Sequence, residues 1–241
     1  MGSTNEWLKE RLRAGAPEWT AAVADEQTAG RGRHARRWLM QRGDLALSVL
    51  VRPPEGPDAL LLLPLATGVA VAEAAAGFGA AAALKWPNDV VIERRGDAGP
   101  GYRKMAGILV ESVSFGAATT AVLGVGLNLV PIPDGELRAT ATSVGEEAGR
   151  EVTRDQAAAA VLARIRVWYD ALARGDASAI VHAFTARALP WWGRMVEVLS
   201  GETAVRGLAR GIDGRGALLI EKDDGAVEAV VSGEARQVRL R

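Results

Sequence analysis

The sequence predicts an α+β protein in which a mixed, mostly antiparallel sheet is flanked by helices and followed by a small β domain. Between residues 21 and 129, short runs rich in Val and Leu alternate with turns that contain Gly, Pro or Asn, which is typical of antiparallel strands. Longer segments rich in Ala and Leu interrupt and follow these runs. After Pro190 only short strands and tight turns are predicted, so we divide the chain into a large domain, residues 1–190, and a small one, residues 191–241.

Each element is predicted from its local pattern. Trp7, Leu8 and Leu12 have helical spacing behind good N-cap residues, which predicts a first helix over residues 4–14. Apolar composition or an apolar face predicts further helices over 58–78, 154–174 and 177–189. In the large domain, strands are predicted at 21–26, 45–51, 82–86, 90–93, 106–113 and 119–129. Short strands that predict a small β-barrel lie at 195–199, 205–211, 217–221 and 226–231.

Composition excludes several kinds of chemistry. The 29 basic and 29 acidic residues of the 241-residue chain cancel, so any attraction to an anionic partner has to be local. The chain contains no cysteine, which excludes disulfides and thiolate nucleophiles and suits a reducing cytoplasm. A multi-histidine metal site is excluded because His34 and His182 are the only histidines, and a Ser-His-Asp triad would have to use one of these two. Since a thiolate nucleophile is excluded as well, we expect no covalent catalysis.

The sequence also predicts a cytoplasmic protein that binds no membrane. The N-terminal stretch MGSTNEW lacks the basic and apolar regions of a secretion signal. The most apolar run, residues 59–72, contains Pro64 and Gly68 and is shorter than the ~18 residues that a membrane-spanning helix needs. We expect this run to form a buried helix.

A basic stretch with two glycines, QTAGRGRHARRW at residues 27–38, separates two predicted strands and contains no acidic residue. Glycine lets the backbone approach an anion closely, and guanidinium groups pair with carboxylate or phosphate oxygens. The stretch therefore indicates a loop that binds a multiply charged anion. The alternatives are a solvated basic turn and a nonspecific nucleic-acid patch, although the sequence shows no wider basic face for the latter.

Three further motifs accompany this loop. KWPND at residues 85–89 holds polar side chains at a turn, since the residue before a proline favours extended backbone. KMAGILVE at 104–111 places a lysine near the start of an apolar strand, and GVGLN at 124–128 bares a second strand on which a flat ligand could pack. Their structural alternatives are an ordinary Pro-Asn turn, an edge lysine beside a bulge glycine, and a weakened strand.

Taken together, these motifs resemble those of the biotin–protein ligases of the monofunctional type without a DNA-binding domain. The resemblance covers nearly the entire chain, and the ordered set is far more specific than any one motif. In family order the motifs are GSTN (2–5), QTAGRGRHARRW (27–38), KWPND (85–89), KMAGILVE (104–111), GVGLN (124–128), ATSV (141–144), GIDGRGALLIE (211–221) and SGE (232–234). The resemblance implies a class II synthetase-like catalytic fold and a C-terminal SH3-like barrel.

The implied activity has two steps. Biotin and ATP, with Mg²⁺, give biotinyl-5′-AMP and pyrophosphate, and biotin is then transferred to a specific lysine of a biotin carboxyl carrier domain. Because a carboxylate and a triphosphate repel each other, attack on the α-phosphorus needs fixed cations, which the arginine-rich loop would supply. The same loop could fold over the site and keep water from the mixed anhydride. We expect no nucleic-acid partner, and a monomer or homodimer.

The resemblance also implies roles for individual residues. The catalytic residues would be Arg33, at the biotin carboxylate and phosphate, and Lys104, at the reacting carboxylate and α-phosphate. Biotin would be bound by Ser3, Thr4, Asn5, Gln27, Gly30, Arg31 and Gly107. The nucleotide would be bound by Arg36, Trp38, Lys85, Asn88, Asp89, Gly126 and Asn128. Trp38 would offer a stacking face for adenine, and Asp89 is also the candidate metal ligand.

Two departures from the family pattern lead to further expectations. Ala35 stands where the family has a second loop glycine, so loop closure is expected to be restricted. The sequence starts at GSTN, where relatives have an upstream strand and some have a helix-turn-helix region; a different cap around Ser3 and no operator binding are expected. The alternative functions are a lipoate or octanoate ligase of the same superfamily and a non-catalytic binding module.

Overall fold

The computed structural model describes residues 1–54, 57–94, 101–115, 118–200 and 203–238. The glycine-rich segment 96–101, which sequence analysis treated as a loop, lies almost entirely outside the described residues. In the described part of the large domain there are five α-helices: α1 (Thr4–Arg13), α2 (Pro57–Gly77), α3 (Val144–Ala148), α4 (Arg154–Ala173) and α5 (Ala177–Arg187). Its strands are β1 (Ala21–Ala24), β2 (Leu45–Val51), β3 (Ala83–Lys85), β4 (Asp89–Glu93), β5 (Tyr102–Phe115) and β6 (Ala118–Leu127).

The six strands form one sheet in the order β1-β2-β6-β5-β4-β3, and every neighbouring pair is antiparallel. The prediction of a mostly antiparallel sheet is therefore confirmed. Strand β5 begins at Tyr102 rather than at 106, because the chain before Ala106 continues to pair with β4 beyond a bulge at Val90/Val91. Lys104 consequently lies within the strand rather than at its mouth.

Side-chain alternation gives the sheet two different faces. In β2, Leu45, Leu47, Val49 and Val51 belong to the main core with α2, whereas Leu50 packs with α1. Both faces of β2 are buried, which explains its continuous apolar sequence. Helices α2, α4 and α5 cover one face of the sheet. Helix α1 and the arginine-rich loop lie on the other face.

Helix α2 is the core helix that the sequence predicted. It is long and apolar enough to cross a membrane, yet 67% of its most apolar window is buried within the protein. It packs against α4, α5 and β5, and Pro64 lies inside it. The composition of this helix is therefore accounted for by its place in the protein core.

Helices α4 and α5 confirm the predictions for residues 154–189, although α5 ends at Arg187. A capping box holds the start of α4, because Thr153 accepts from the Gln156 N–H and the Gln156 side chain accepts from the Thr153 N–H. Neither α3 nor the 3₁₀ helix Glu136–Ala139 was predicted from the sequence. Both are too short for a periodic pattern to be recognised.

The C-terminal strands are β7 (Met195–Ser200), β8 (Thr203–Ile212), β9 (Leu218–Glu221), β10 (Val227–Val230) and β11 (Glu234–Gln237). They form an antiparallel sheet in the order β10-β9-β8-β7-β11, so the prediction of a closed barrel is corrected. The edge strands β10 and β11 are joined by only three residues, a span of at most ~14 Å, so the sheet must curl strongly. These edge strands have four residues each and do not pair with one another among the described residues. Strand β11 was not predicted from the sequence.

The C-terminal sheet packs against the large domain through specific contacts. The buried indole Nε1 of Trp86 donates to the Gly216 carbonyl at 3.0 Å, and Arg215 pairs with Asp58 at the start of α2. A Cβ on Gly216 would lie 3.2 Å from Leu65 of α2, so the two surfaces meet closely. The boundary that we placed at residue 190 falls in the segment between α5 and β7 and stays a prediction.

We predict that Trp86→Phe destabilises the protein, because it removes the indole donor and leaves the Gly216 carbonyl unpaired. The expected loss is ~1–3 kcal/mol, with a drop in Tm of about 2–4 °C for each kcal/mol. Thermal unfolding followed by circular dichroism measures it. The matched control is Trp192→Phe, since Trp192 packs against the same core and its indole makes no hydrogen bond within the described chain. Equal losses in the two variants would contradict the prediction.

Candidate active site

A cavity of about 410 Å³ opens on the sheet face that carries α1. Its wall is built from the start of α1, the arginine-rich loop, the turn between β3 and β4, strands β5 and β6, and the start of β11. All but one of the site residues predicted from sequence line it: Ser3, Thr4, Asn5, Gln27, Arg31, Arg33, Arg36, Trp38, Lys85, Asn88, Asp89, Lys104, Gly107, Gly126 and Asn128. The fold therefore brings together motifs that are up to about 230 residues apart.

Gly30, the remaining predicted residue, shapes the loop instead of lining the cavity. Its carbonyl accepts from the Trp38 N–H at 3.0 Å. A Cβ at this position would lie 2.5 Å from the Trp38 carbonyl oxygen. Glycine is thus required where the two ends of the loop meet.

The floor of the cavity is a pair of glycines facing each other across two strands. Gly107 of β5 pairs with Gly126 of β6, and the Trp38 ring lies over both. A Cβ on Gly126 would overlap this ring, and one on Gly107 would lie 3.0 Å from it. The indole Nε1 of Trp38 is buried and has no hydrogen-bond partner among the described residues. The bared strand predicted from sequence therefore packs against a flat group, which in this structure is the indole.

Glycine is needed at position 124 of β6 for a different reason, because a Cβ there would overlap the Asn5 carboxamide. The Asn5 Oδ1 accepts from the Ser48 hydroxyl at 2.5 Å, and its Nδ2 donates to Glu111 at 2.8 Å. Asn5 is thus held on both sides by buried or partly buried groups. Its side chain supports the start of α1 and also lines the cavity, and its contact with biotin stays a prediction.

Ser3, Thr4 and Gln27 form the polar end of the cavity, which we call the polar pocket. The Thr4 N–H donates to Gln27 Oε1 at 2.8 Å, and the Thr4 hydroxyl lies 2.7 Å from that of Ser48. Ser3 is the N-cap residue of α1 but makes no side-chain cap, so its hydroxyl does not satisfy the helix N-terminus. These short polar groups can serve a neutral ligand with both donors and acceptors.

The arginine-rich loop is a tight hairpin. Arg31 and Arg37 form an antiparallel bridge, and the Arg36 N–H donates to the Arg33 carbonyl at 3.1 Å. The two residues between them, His34 and Ala35, have φ of 54° and 57°. Positive φ at both central positions defines a type I′ turn, which strongly favours Asn-Gly. Ala35 therefore occupies a left-handed position, where glycine would cost less strain.

Two arginines of this loop contact the C-terminal sheet. Arg33 donates to the Ser232 hydroxyl at 2.7 Å, to the Gly233 carbonyl at 3.1 Å and to Asn88 Oδ1 at 3.2 Å. Burial lowers the pKa of Arg33, although a guanidinium stays cationic at neutral pH. Arg36 pairs with Glu234, and its hydrogen bond lowers the pKa of that carboxyl. The SGE motif thus fixes the loop.

A buried lysine and a partly buried lysine share one carboxylate at the far wall. Asp89 lies 2.5 Å from the Lys104 Nζ and 3.6 Å from the Lys85 Nζ. Burial lowers the pKa of Lys85, which is only 5% exposed, while Asp89 opposes this effect. The Lys104 ammonium also lies 5.5 Å from the centre of the Trp38 ring, within the range of a cation–π contact.

Asn88 and Asn128 tie the strands to their surroundings. The Asn88 Nδ2 donates to the Ile108 carbonyl at 2.8 Å while its Oδ1 accepts from Arg33. The Asn128 Nδ2 donates to the Thr142 carbonyl of the ATSV motif at 2.9 Å. Both amides therefore have structural partners in addition to any ligand.

Several polar residues of the wall, among them Tyr102 and Glu234, had no role predicted from the sequence. Tyr102 lies two residues before Lys104 on β5 and therefore on the same face, a period-two signal that was available in the sequence. Its ring centre lies 5.7 Å from the Lys85 Nζ, and burial raises the pKa of its phenol to about 12, with further contributions from Asp89 and Glu234. Glu234 was quoted within the SGE motif without a role.

The cavity is strongly positive although the chain is neutral. Among its described lining residues, six are basic (Arg31, Arg33, Arg36, Arg37, Lys85 and Lys104) and two are acidic (Asp89 and Glu234). An excess of four positive charges in a concave site attracts anions and favours polyanions. Such charges beside a glycine floor and polar groups suit a polyanion together with a small, partly flat molecule.

Models of known protein families match segments of both the large domain and the C-terminal domain. Residues 1–128 match the biotin/lipoate A/B protein ligase family, and residues 192–235 match the biotin protein ligase C-terminal domain. The chain therefore belongs to the biotin/lipoate A/B protein ligase family.

Individual relatives agree with this assignment. The chain is 38% identical to the biotin--[acetyl-CoA-carboxylase] ligase of Mycobacterium tuberculosis, covering 96% of this chain and 84% of that protein. It is 32% identical to the bifunctional ligase/repressor BirA of Escherichia coli, covering 97% of this chain and 71% of that protein. Among solved structures, the biotin protein ligase from Aquifex aeolicus in complex with biotin and ATP superposes with a TM-score of 0.81 at 31% identity, covering 99% and 96% of the two chains.

We predict that Ala35→Gly stabilises the arginine-rich hairpin by about 1 kcal/mol, because glycine adopts positive φ without steric strain. Trypsin should then cleave within residues 31–37 about fivefold more slowly, since cleavage follows the population of the open loop. The control is Ala29→Gly in the same loop, where φ is not positive and glycine should not slow cleavage. Equal protection by the two substitutions would contradict the assignment of strain to residue 35.

Proposed function

We propose that this chain is a biotin–protein ligase that converts biotin and ATP to biotinyl-5′-AMP and pyrophosphate and then biotinylates a lysine of a carrier protein. Its membership of the ligase family supports this function, as do the names of its relatives. The observation that carries the proposal is the cavity itself. It combines a polar pocket, a glycine floor and a cluster of cations within about 410 Å³.

The cations answer the electrostatic problem of the first step. A carboxylate oxygen attacks the α-phosphorus of ATP, a new P–O bond forms, and the bond to the bridging oxygen breaks as pyrophosphate leaves with its electrons. Two anions must approach each other, so fixed positive charges lower the barrier. Arg33 and Lys104 are the proposed catalytic residues, because both line the cavity and each is held by a neighbouring group, Arg33 by the Gly233 carbonyl and Lys104 by Asp89.

The neutral end of biotin is assigned to the polar pocket. A ureido group offers two N–H donors and one carbonyl acceptor, and Ser3, Thr4 and Gln27 offer matching hydroxyl and amide groups. Gly107 would leave room for the biotin rings at the cavity floor. Asn5 would support this pocket from behind, because its own amide is already hydrogen-bonded to Ser48 and Glu111.

The nucleotide is assigned to the other end of the cavity. Arg36, Lys85 and Lys104 can face phosphate oxygens, while Trp38 offers a flat surface for adenine. The Trp38 indole lies over Gly126 in this structure. For adenine to stack on it, the indole must hold this position, or return to it, when ATP binds. Asn88, Asp89 and Asn128 would hold the surrounding backbone and lysines in place.

The second step transfers the acyl group. A neutral lysine amine attacks the carbonyl carbon of the mixed anhydride, the C–O bond to AMP breaks, and the amine loses a proton. Because water would compete with the lysine, the adenylate has to be shielded until the carrier arrives. The hairpin of residues 31–37 is suited to this task, since Arg33 and Arg36 fasten it to the C-terminal sheet.

We also propose that ATP is used with Mg²⁺ and that the acceptor is a biotin carboxyl carrier domain of a cytoplasmic carboxylase. Magnesium is commonly held by one or two carboxylates together with substrate phosphates. Asp89 and Glu234 are the carboxylates that the described residues offer at the cavity. Within the described chain, no cluster of three or more His, Asp or Glu could hold a metal alone, so the ion would depend on the phosphates.

The proposal predicts that pyrophosphate is released from ATP and Mg²⁺ only when biotin is present. The measurement is a coupled pyrophosphate assay with biotin, lipoate, octanoate or no acid. Release driven by lipoate or octanoate would keep the charge argument but reassign the substrate within the family. Failure with every acid, while ATP and biotin still bind, would leave the chain as a binding module and overturn the proposed catalysis.

We predict that Lys104→Ala lowers the rate of adenylate formation by about 10²–10³-fold, because it removes a fixed cation from the reacting carboxylate and α-phosphate. Single-turnover pyrophosphate release measures this rate directly. Asp89 keeps Lys85 as a partner in the variant, so the wall should remain folded. The control is Lys222→Ala, which removes a surface lysine paired with Glu228. An unchanged rate in Lys104→Ala would contradict the catalytic assignment.

A further inference from the structure

A buried carboxylate links two loops that border the proposed nucleotide end of the cavity. We call residues 38–44 the tryptophan loop, because it begins at Trp38, and residues 128–132 the asparagine loop, because it begins at Asn128. Asp44 is 1% exposed. Its Oδ2 accepts from the Gln41 N–H at 2.7 Å, and its Oδ1 accepts from the Leu129 and Val130 N–H groups at 2.9 and 3.3 Å.

Backbone N–H groups donate to this carboxylate, and within the described residues it forms no salt bridge with a basic side chain. Burial raises the pKa of Asp44, while the hydrogen bonds from Gln41, Leu129 and Val130 oppose the rise. A buried charge without a cationic partner is costly unless hydrogen bonds satisfy it. The three N–H donors belong to both loops, so Asp44 can be satisfied only when the loops are correctly placed.

Neighbouring contacts hold the same junction. The Gln41 side chain donates to the Pro131 carbonyl at 3.2 Å, and the Arg154 Nε donates to the Asp44 carbonyl at 3.1 Å. Gly43 has a φ of 106°, and a Cβ there would lie 2.7 Å from Val130. The loops thus approach more closely than another residue at position 43 would permit.

The two loops carry Trp38 and Asn128, which line the cavity on its nucleotide side. Neither loop contains a group assigned to the polar pocket at Thr4 and Gln27, which is held by separate hydrogen bonds. A disturbance at Asp44 should therefore reach one end of the cavity and spare the other.

We propose that Asp44 is a positioning residue that fixes the tryptophan and asparagine loops together, so that ATP use depends on it and biotin binding does not. This inference rests on the proposed function. Asparagine cannot fully replace Asp44. Its single carboxamide oxygen can still accept an N–H, but its NH₂ group would face a backbone N–H donor and could not accept from it.

The test compares Asp44→Asn with the wild-type chain. The KM for ATP in biotin-dependent pyrophosphate release should rise about tenfold or more, whereas the Kd for biotin, measured by calorimetry, should change less than about twofold. The matched control is Asp176→Ala. Asp176 is also a carboxylate that accepts a backbone N–H, that of Ala179, but it caps α5 and does not line the cavity. This control should lower Tm without changing the KM for ATP.

A second variant covers the case in which Asp44→Asn does not fold. Gln41→Ala removes the side-chain link to Pro131 from a partly exposed residue and should raise the KM for ATP a few-fold in the same direction. An unchanged KM for ATP in the folded variants, or parallel losses for ATP and biotin, would overturn the inference.

The same variants separate this inference from the proposed function. If the wild-type chain releases no pyrophosphate with any acid, the proposed function fails, and direct calorimetric binding of ATP and biotin replaces the kinetic readout. Selective loss of ATP affinity in Asp44→Asn would still support the positioning role. Equal affinities for ATP in the variant and the wild type, or no ATP binding by the wild type, would reject it.

Discussion

The central physical constraint on this protein is the crowding of like charges in one cavity. Six basic side chains line it, and one of them, Lys85, is almost fully buried. Such a cluster is stable in the absence of a ligand only if internal anions and hydrogen bonds offset the repulsion. Asp89 does this for Lys85 and Lys104, and Glu234 does it for Arg36. A triphosphate would extend this compensation, because it supplies further oxygens to cations that folding has already placed.

This constraint explains why the C-terminal sheet belongs to the site. The apolar residues of this small sheet belong to the same hydrophobic core as α2 and Trp86, and do not form a separate core of their own. Through this rigid contact it presents Ser232, Gly233 and Glu234 to the arginine-rich hairpin. A hairpin whose turn carries His34 and Ala35 at positive φ needs such external support, because its own turn sequence disfavours that conformation.

Much of the site could be predicted because its residues lie in short motifs that resemble those of the biotin–protein ligases, and the resemblance implied their roles. The antiparallel sheet and the long helices followed instead from local composition, periodicity and turn residues. The pairing of Gly107 with Gly126 depends on strand register, which no local pattern contains. The roles of Asn5 and Glu234 depend on contacts across about 100 and 200 residues, and an open curled sheet differs from a closed barrel only in its edge pairing.

Asp44 illustrates the limit of residue-by-residue reading. A lone aspartate before an apolar strand is an ordinary turn residue in sequence, and only the fold shows that it accepts three N–H bonds from two separate loops. Lys85 and Lys104 of the cation cluster lie on strands β3 and β5, whereas the proposed adenine surface is carried by loops. Loops hold a precise position only when buried polar groups over-determine them. The carboxylate of Asp44 therefore does for the tryptophan and asparagine loops what strand pairing does for Lys85 and Lys104.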